Sequence, residues 1–533
     1  MSKDRVTIKI PFASGKKNLI EDLSLDDLHR ISEPIIDKAI EPIWDALDKA
    51  NLEKEDIDLV ILAGGSSQLP SVYSKIYKAI GIEPRIIPKN LMLAISYGAA
   101  LYQREVFNYP KTKIDVRTLG NSLGLLVNDG GHKTAQLLLN HNQILPAKKS
   151  FKYAVDEGQT VASIELVTFI GNSDKIDRRL KQRNLKLSKD AKQIIVDITV
   201  SENRLIELTA YDPEHKEEKS VIQIDSQMMT DKDIMEKRKQ LGIEIVTDEL
   251  RRNLQPCIGI DLGTTTSEFS YTNRTGNPEL MYLVNPEHPS HYSEYCFPSV
   301  IYFKDGIDNP EIANTKACNA MENSGDADRV CSSFKIANRN KYVISVNGKG
   351  LSVGDLSAIL LSKVWDTAQN TFGDMDLKSA VVTVPAAFDF DACQDTYNAA
   401  KMAGIENVTL IDEPTAAFLY YKNVQGLDTS DIKNVLVFDY GGGTADVAIL
   451  DVQNDALSES NEYKDCLYSI LSVSGAVGCG GKSIDEAIVK EIKNRFEAKN
   501  ECTISATSLM ILKSEVEKAK VRLSELYNEA GEE

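Results

Sequence analysis

Two segments of this chain share one local grammar. Ile258-Gly259-Ile260-Asp261-Leu262-Gly263-Thr264-Thr265-Thr266 is an apolar run that ends in an acid and a glycine-threonine turn. Val435-Leu436-Val437-Phe438-Asp439-Tyr440-Gly441-Gly442-Gly443-Thr444-Ala445-Asp446 repeats that order. A strand running into glycine turns exposes successive backbone N–H groups, and such a concavity suits phosphate. Glycine serves there because a side chain would hold the anion off. An aspartate at each strand end, Asp261 and Asp439, suits Mg²⁺, a hard cation that keeps several of its waters. One copy alone fits an ordinary hairpin with an Asp-Gly-type turn equally well. Two copies facing across a cleft point to phosphate and metal chemistry.

The elements that must position these turns are legible from periodicity. From Cys257 onward the chain reads as α/β, with strands at 257–262, 379–384 and 435–439 alternating with helical patterns at 355–370, 391–403, 484–497 and 508–527. From Ser24 to about Asn51, Leu28, Ile31, Ile35, Ala39, Ile43 and Leu47 fall at helical spacing. Ser24 and Asp27 suit a capping box, and Pro34 and Pro42 are expected to bend or divide the segment. A short buried strand, Asp58 to Ala63, then runs into Gly64-Gly65-Ser66, followed by a helix near 71–80. Residues 111–226 change character. Runs at 136–139, 163–169, 193–200 and 204–211 alternate with period two, and turn residues separate them, the pattern of an all-β sandwich. The charged stretch 231–255 reads as a helix and then a tether.

Composition excludes several classes. The chain has 533 residues, enough for several cores, and its 42% hydrophobic and 26% charged residues are an ordinary globular balance. Lys and Arg number 61 against 79 acids, a net charge of -18, which argues against nucleic acid as a partner. No run approaches 18 uncharged apolar residues, and MSKDRVTIKI lacks the apolar core of a signal peptide, so the expectation is a soluble, cytoplasmic protein without a membrane partner. Eight cysteines, at 257, 296, 318, 331, 393, 466, 479 and 502, show neither CxxC nor zinc-finger spacing and read as reduced thiols. All lie after residue 256.

The paired DLGTTTS and DYGGGTAD segments, AGGSSQLP at 63–70 and VVTVPAAF at 381–388 resemble the actin-like ATPase superfamily. IDEPTAAFLYY at 411–421 and GCGGKSID at 478–485 narrow the likeness to the seventy-kilodalton heat-shock chaperone family of the DnaK type. IDVRTLGNSLGLLV at 114–127 and ELTAYDPEHKEEKSVIQI at 207–224 resemble its β-sandwich. The resemblance implies an α/β actin-like (ribonuclease H-like) two-lobed ATPase joined to an all-β substrate-binding sandwich. The order differs from the family's: 257–533 match the beginning of its ATPase domain, 1–110 its end, 111–235 the sandwich, with 236–256 as linker. The chain therefore resembles a circular permutation, and a truncated tandem array would give the same order.

The resemblance also implies roles. Asp261 and Asp439 would hold the Mg²⁺ water shell, with Asp446 near a monovalent cation, K⁺. Gly263, Thr264, Thr265, Gly441, Gly442, Gly443 and Thr444 would cradle phosphates and orient the attacking water, Lys335 would lie over the γ-phosphate, and Glu413 beside the water. Gly64, Gly65, Ser66, Gly480, Gly481, Glu517, Lys520 and Ser524 would hold the adenosine side of ATP. Leu125, Val127, Ile164 and Leu166 match positions lining a peptide channel, and core packing would use them equally well. Pro385 matches the switch proline.

Several positions depart from the pattern. The two arginines that sandwich adenine fall at Val521 and Gln68, and the acid expected near the ribose at Met92. The relay arginine is Cys393, the linker 109–114 lacks its leucines, and a helical lid is not evident, so weakened or altered coupling is expected. The reading is an ATP-dependent chaperone acting on extended apolar peptides of unfolded proteins, with a J-domain co-chaperone and a nucleotide exchange factor as partners. The alternatives are a nucleotide-binding regulatory or scaffold protein of the same fold and, third, a sugar kinase, against which the sandwich and the EPTAA segment argue.

Overall fold

The computed structural model describes residues 4–86, 93–108, 115–119, 121–129, 132–141, 143–169, 175–214, 220–223, 231–243, 257–272, 281–282, 296–307, 309–321, 329–336, 344–346, 348–372, 377–425, 427, 431–452 and 468–531. Met92 and the segment 109–114 lie outside them.

Two sheets carry the two acidic turns. In the first, Cys257–Leu262 is buried along its whole length, as a central strand must be, between antiparallel Thr266–Thr272 and parallel Ser379–Val384, with Asn407–Asp412 beyond. In the second, Asn434–Tyr440 lies between antiparallel Thr444–Asp451 and parallel Leu59–Ala63, with Val435 opposite Leu59 and Asp439 opposite Ala63. The two ends of the chain thus build one sheet. Side chains on both strand faces are buried, which explains their continuous apolar sequences.

Helix Ala94–Asn108 packs at backbone distance on the first sheet and on helix Glu413–Gln425. A Cβ added to Gly98 would lie 1.7 Å from the Ala416 carbonyl oxygen, and one on Gly259 would lie 2.2 Å from both Ala100 N and Ser96 O. The small residues at 96–100 permit this approach.

The helix expected after Ser24 spans Leu25–Ala50 and its capping box is formed: Asp27 N–H donates to Ser24 Oγ at 3.1 Å, and Ser24 N–H donates to the Asp27 carboxylate. Pro34 and Pro42 do not divide it. Its buried face of Leu28, Ile36, Ala39, Ile43, Ala46 and Leu47 packs against Thr444–Asp451 and Tyr468–Val477, and that burial outweighs the lost backbone bonds. Asp27 also binds Arg495 of helix Gly481–Asn500 at 2.5 Å, tying the beginning of the chain to its end. The Arg495 guanidinium holds the Asp27 carboxyl well below the usual carboxylate range. That lowered pKa contributes stability above this range, which is lost as pH falls below it. Asp27→Ala is expected to cost about 1 kcal/mol through the cap alone. Urea unfolding at pH 7 checks it, and the difference from the parent should shrink toward pH 2.

The sandwich consists of two four-stranded antiparallel sheets among the described residues. One orders Ile176–Lys186, Val161–Phe169, Leu123–Asp129 and His132–Leu139. The other orders Ser220–Gln223, Ile206–Tyr211, Gln193–Val200 and Ala147–Ala154. Ile194, Val196, Ile198 and Val200 point inward at every second position, the period-two pattern of the sequence. Arg204, expected within a strand, sits in the preceding turn with φ 60°, and the strand starts at Ile206. Helix Asp231–Leu241 follows and docks on helix Phe390–Met402 of the first lobe: Arg238 donates to the carbonyls of Lys401 and Met402, and Ile234 and Leu241 enter the lobe's core. The boundary expected at 235 falls inside this helix. No helix among the described residues is long and apolar enough to cross a membrane.

Candidate functional site

The two glycine turns face each other across a cleft of about 930 Å³. A Cβ on Gly442 would come within 2.4 Å of Thr265 Oγ1, so the turns meet directly. The turn 441–443 is clamped from behind: Gly478 N–H donates to Gly443 O, Gly481 N–H to Gly441 O, and Lys482 N–H to Gly442 O. Gly480 lies under it, where a Cβ would meet Gly442 at 2.6 Å. On the third side, Gly64 has φ 77° and leaves room for Asp439, whose Oδ1 an added Cβ would meet at 2.3 Å. Ser66 Oγ donates to Gly441 O at 2.9 Å.

The charged residues converge on this space. Lys335 Nζ donates to Glu413 Oε1 at 2.6 Å, and both are almost fully buried. Thr383 Oγ1 donates to Asp261 Oδ1 at 2.8 Å, and Ala387 N–H donates to Asp446 Oδ1 at 2.9 Å. Burial pushes all four carboxyls upward, Glu413 to about 8 against the opposing pull of Lys335 and Asp446 to about 6. Asp261 and Asp439 are raised by the same burial, and Asp439 further by Glu413, Asp446 and Asp261. Such a cluster retains protons until a cation displaces them.

The donor set fits a hydrated divalent cation. Its members are hard carboxylate oxygens, and Asp439 Oδ1 and Asp446 Oδ2 are buried without a hydrogen-bond partner. Among the described residues, no group of three or more carboxylate, histidine or cysteine side chains converges on one ion. An ion held through its waters requires no such convergence.

Of the residues expected from sequence, Gly64, Gly65, Ser66, Asp261, Gly263, Thr264, Thr265, Lys335, Glu413, Asp439, Gly441, Gly442, Thr444, Gly481, Glu517, Lys520 and Ser524 line the cleft. Gly443, Gly480 and Asp446 stand immediately behind it. Lys520 Nζ bonds both the Gly481 carbonyl and Asp485, which sequence reasoning did not single out. Glu268 was missed as well. It is paired opposite Asp261 in the hairpin, lines the cleft, and is raised well above the ordinary glutamate range by burial and by Asp261. The short turn between the strands sets that register, so the signal was available in the sequence.

The remaining expectations lie elsewhere. Leu125, Ile164 and Leu166 are buried in the sandwich core, with Val127 half-buried against it. Pro385 is buried between strand Ser379–Val384 and helix Phe390–Met402. The sandwich reaches the segment just after it: Arg178 pairs with Asp389 and, at 2.7 Å, with Asp391. Arg204 pairs with Asp412, the neighbour of Glu413, at 2.8 Å.

Two lobes presenting matched acid-and-glycine turns to one cleft, with a β-sandwich docked against them, define an α/β nucleotide-binding fold of the ATPase type. The family model for Hsp70 protein matches residues 1–255 and 257–531, and the chain belongs to the Hsp70 family. Members of that family are ATPases that bind ATP and Mg²⁺ and act as chaperones. Among curated proteins, the chain is 35% identical over 269 residues to the chaperone protein DnaK of Mycoplasmopsis synoviae (strain 53). That match covers 50% of this chain and 40% of the relative, so it spans less than half of the relative's length.

Proposed function

We propose that this chain is an ATP-dependent chaperone of the Hsp70 type with its segments in circularly permuted order. The observation that carries the reading is the buried Lys335–Glu413 pair, 2.6 Å long, set between two acidic glycine turns. Phosphoryl transfer to water asks for positioning and charge stabilisation, and this set offers both. Lys335 would hold the negative charge on the transferred phosphoryl group. Glu413 and Thr444 would orient the water that attacks the γ-phosphorus as the bond to the bridging oxygen breaks and ADP leaves. Asp261 and Asp439 would hold Mg²⁺, which neutralises phosphate charge, with K⁺ beside Asp446.

The permutation is supported by the meeting of the chain's ends. Helix Ala506–Gly531 packs on the hairpin strand Arg5–Ser14, and Ser505 N–H donates to Ala13 O at 2.9 Å. The sandwich would bind extended apolar segments of unfolded proteins in the cytoplasm, with a J-domain protein and an exchange factor as partners. Addition of Mg-ATP to monomer carrying a fluorescent apolar peptide is expected to release the peptide at least tenfold faster, read by anisotropy, while labelled ATP is hydrolysed. Nucleotide binding without turnover or peptide release would favour the second reading, a regulatory or scaffold protein. Val521 and Gln68 at the base end of the cleft favour that alternative.

A further inference from the structure

On the reading that the cleft takes a nucleoside triphosphate, we propose that it selects by the triphosphate and accepts purine and pyrimidine bases alike. The two ends of the cleft differ in construction. The inner end is committed: Lys335, Glu413 and the clamped glycine turns have fixed partners, and Lys520 is anchored to Gly481 O and Asp485. The outer end is bordered by helix Ala506–Gly531, whose positions 514, 517, 518, 520, 521, 522, 524 and 525 line the cleft.

At the centre of that outer stretch stands Val521, 49% exposed. None of the described lining residues is aromatic. Arg522, one position on, has Nη1 paired with Glu525 at 3.0 Å, and Lys518 Nζ is paired with Glu515 at 2.8 Å. Across from the helix, Gln68 is half-buried and its carbonyl accepts from Asn528 Nδ2, which ties the turn in place but leaves the side-chain amide to its own rotation. A base would therefore lie against Val521 with the Arg522 guanidinium beside it, and both offer similar contact to any planar ring.

Discrimination on the scale of 10⁴ requires buried groups committed to one hydrogen-bond pattern, whereas apolar contact gives only about 10–200-fold. Gln68 does not supply that commitment: turning its amide by half a turn exchanges donor for acceptor, so it meets the edge of adenine or guanine equally. The Ser514 hydroxyl rotates in the same way.

The test is a set of dissociation constants for ATP, GTP, CTP, UTP and inorganic tripolyphosphate with the full chain and Mg²⁺, by calorimetry. The four nucleotides are expected to fall within about tenfold of one another, with tripolyphosphate at least tenfold weaker because it lacks the nucleoside's contacts with the outer end. ATP bound a hundredfold tighter than GTP and CTP overturns the proposal while leaving the nucleotide reading in place. Failure of every triphosphate overturns both. Val521→Arg would set a guanidinium against the base and is expected to tighten ATP about tenfold, with tripolyphosphate unchanged. An equal effect on the two ligands would place residue 521 away from the base and overturn the assignment.

Discussion

Lys335→Ala is expected to slow single-turnover ATP hydrolysis by about two to three orders of magnitude, the scale of losing one preorganised charge-stabilising donor. The reason is its setting. Lys335 is 6% exposed, lies 5.6 Å from the centre of the Phe388 ring, and opposes the burial that raises Asp261, Glu413, Asp439 and Asp446. Its charge acts at low local dielectric, where the same charge in water would count for far less. Removal leaves four carboxyls with one opposing charge fewer, so they retain protons to higher pH. On the proposed reading the Mg-nucleotide complex would have further anchors in the clamped turns and Lys520, so binding should change far less than turnover. Rapid-quench measurement on labelled ATP, with affinity by calorimetry, separates the two effects. A variant that keeps a tenth of the parental rate would remove Lys335 from the reaction and with it the central support for hydrolysis. Loss of binding and of the unfolding transition together would show a folding defect, and Lys335→Met, which keeps the volume, repeats the comparison without the cavity.

What could be read from the sequence follows from where the constraints are local. The strand-acid-glycine segments are legible because backbone approach and burial dictate nearly every residue: Gly263 leaves no room for a Cβ within 2.1 Å of Thr266 O, and Cys257–Leu262 is buried throughout. The capping box at Ser24 is likewise a matter of four consecutive residues. Lys335 and Glu413 lie 78 positions apart, and only likeness to a family brought them together before the fold did. Pro34 and Pro42 do not divide the helix, because tertiary burial of one face holds it whole where local propensity favours a break. The contact between sandwich and lobe was invisible. Arg178 and Arg204 are two of many arginines, and no periodicity marks a side chain that crosses from one domain to another. Cys393 leads to an expectation of weakened or altered coupling, and the structure places two arginines of the sandwich on the segments that follow Pro385 and precede Glu413.

Arg204 leads to the second large expectation. Its Nη2 donates to Asp412 Oδ2 at 2.9 Å with Nη1 2.8 Å from Oδ1, both residues nearly inaccessible at 8% and 3%. Next to it, Asn203 accepts from Leu410 N–H and donates to Val408 O, so the sandwich turn covers the outer strand of the first lobe's sheet. Arg204→Ala would leave the Asp412 carboxylate buried without its cation, and breaking such a pair costs about 3–5 kcal/mol. Asp412→Ala would do the reverse. The double variant should recover much of the loss, because no charge is then stranded, and the cycle reads the coupling directly. The backbone adds an internal control. Arg204 holds φ at 60°, a conformation that costs an L side chain about 1–2 kcal/mol, and alanine keeps that cost. Arg204→Gly relieves it while losing the same charge, so it should be more stable than Arg204→Ala by about 1 kcal/mol in urea. Because Asp412 adjoins Glu413, loosening this contact should also change the hydrolysis rate, whereas a purely structural pair would move stability alone. A hydrolysis rate equal to the parent's in folded Arg204→Gly would confine the pair to stability and separate the sandwich from Glu413.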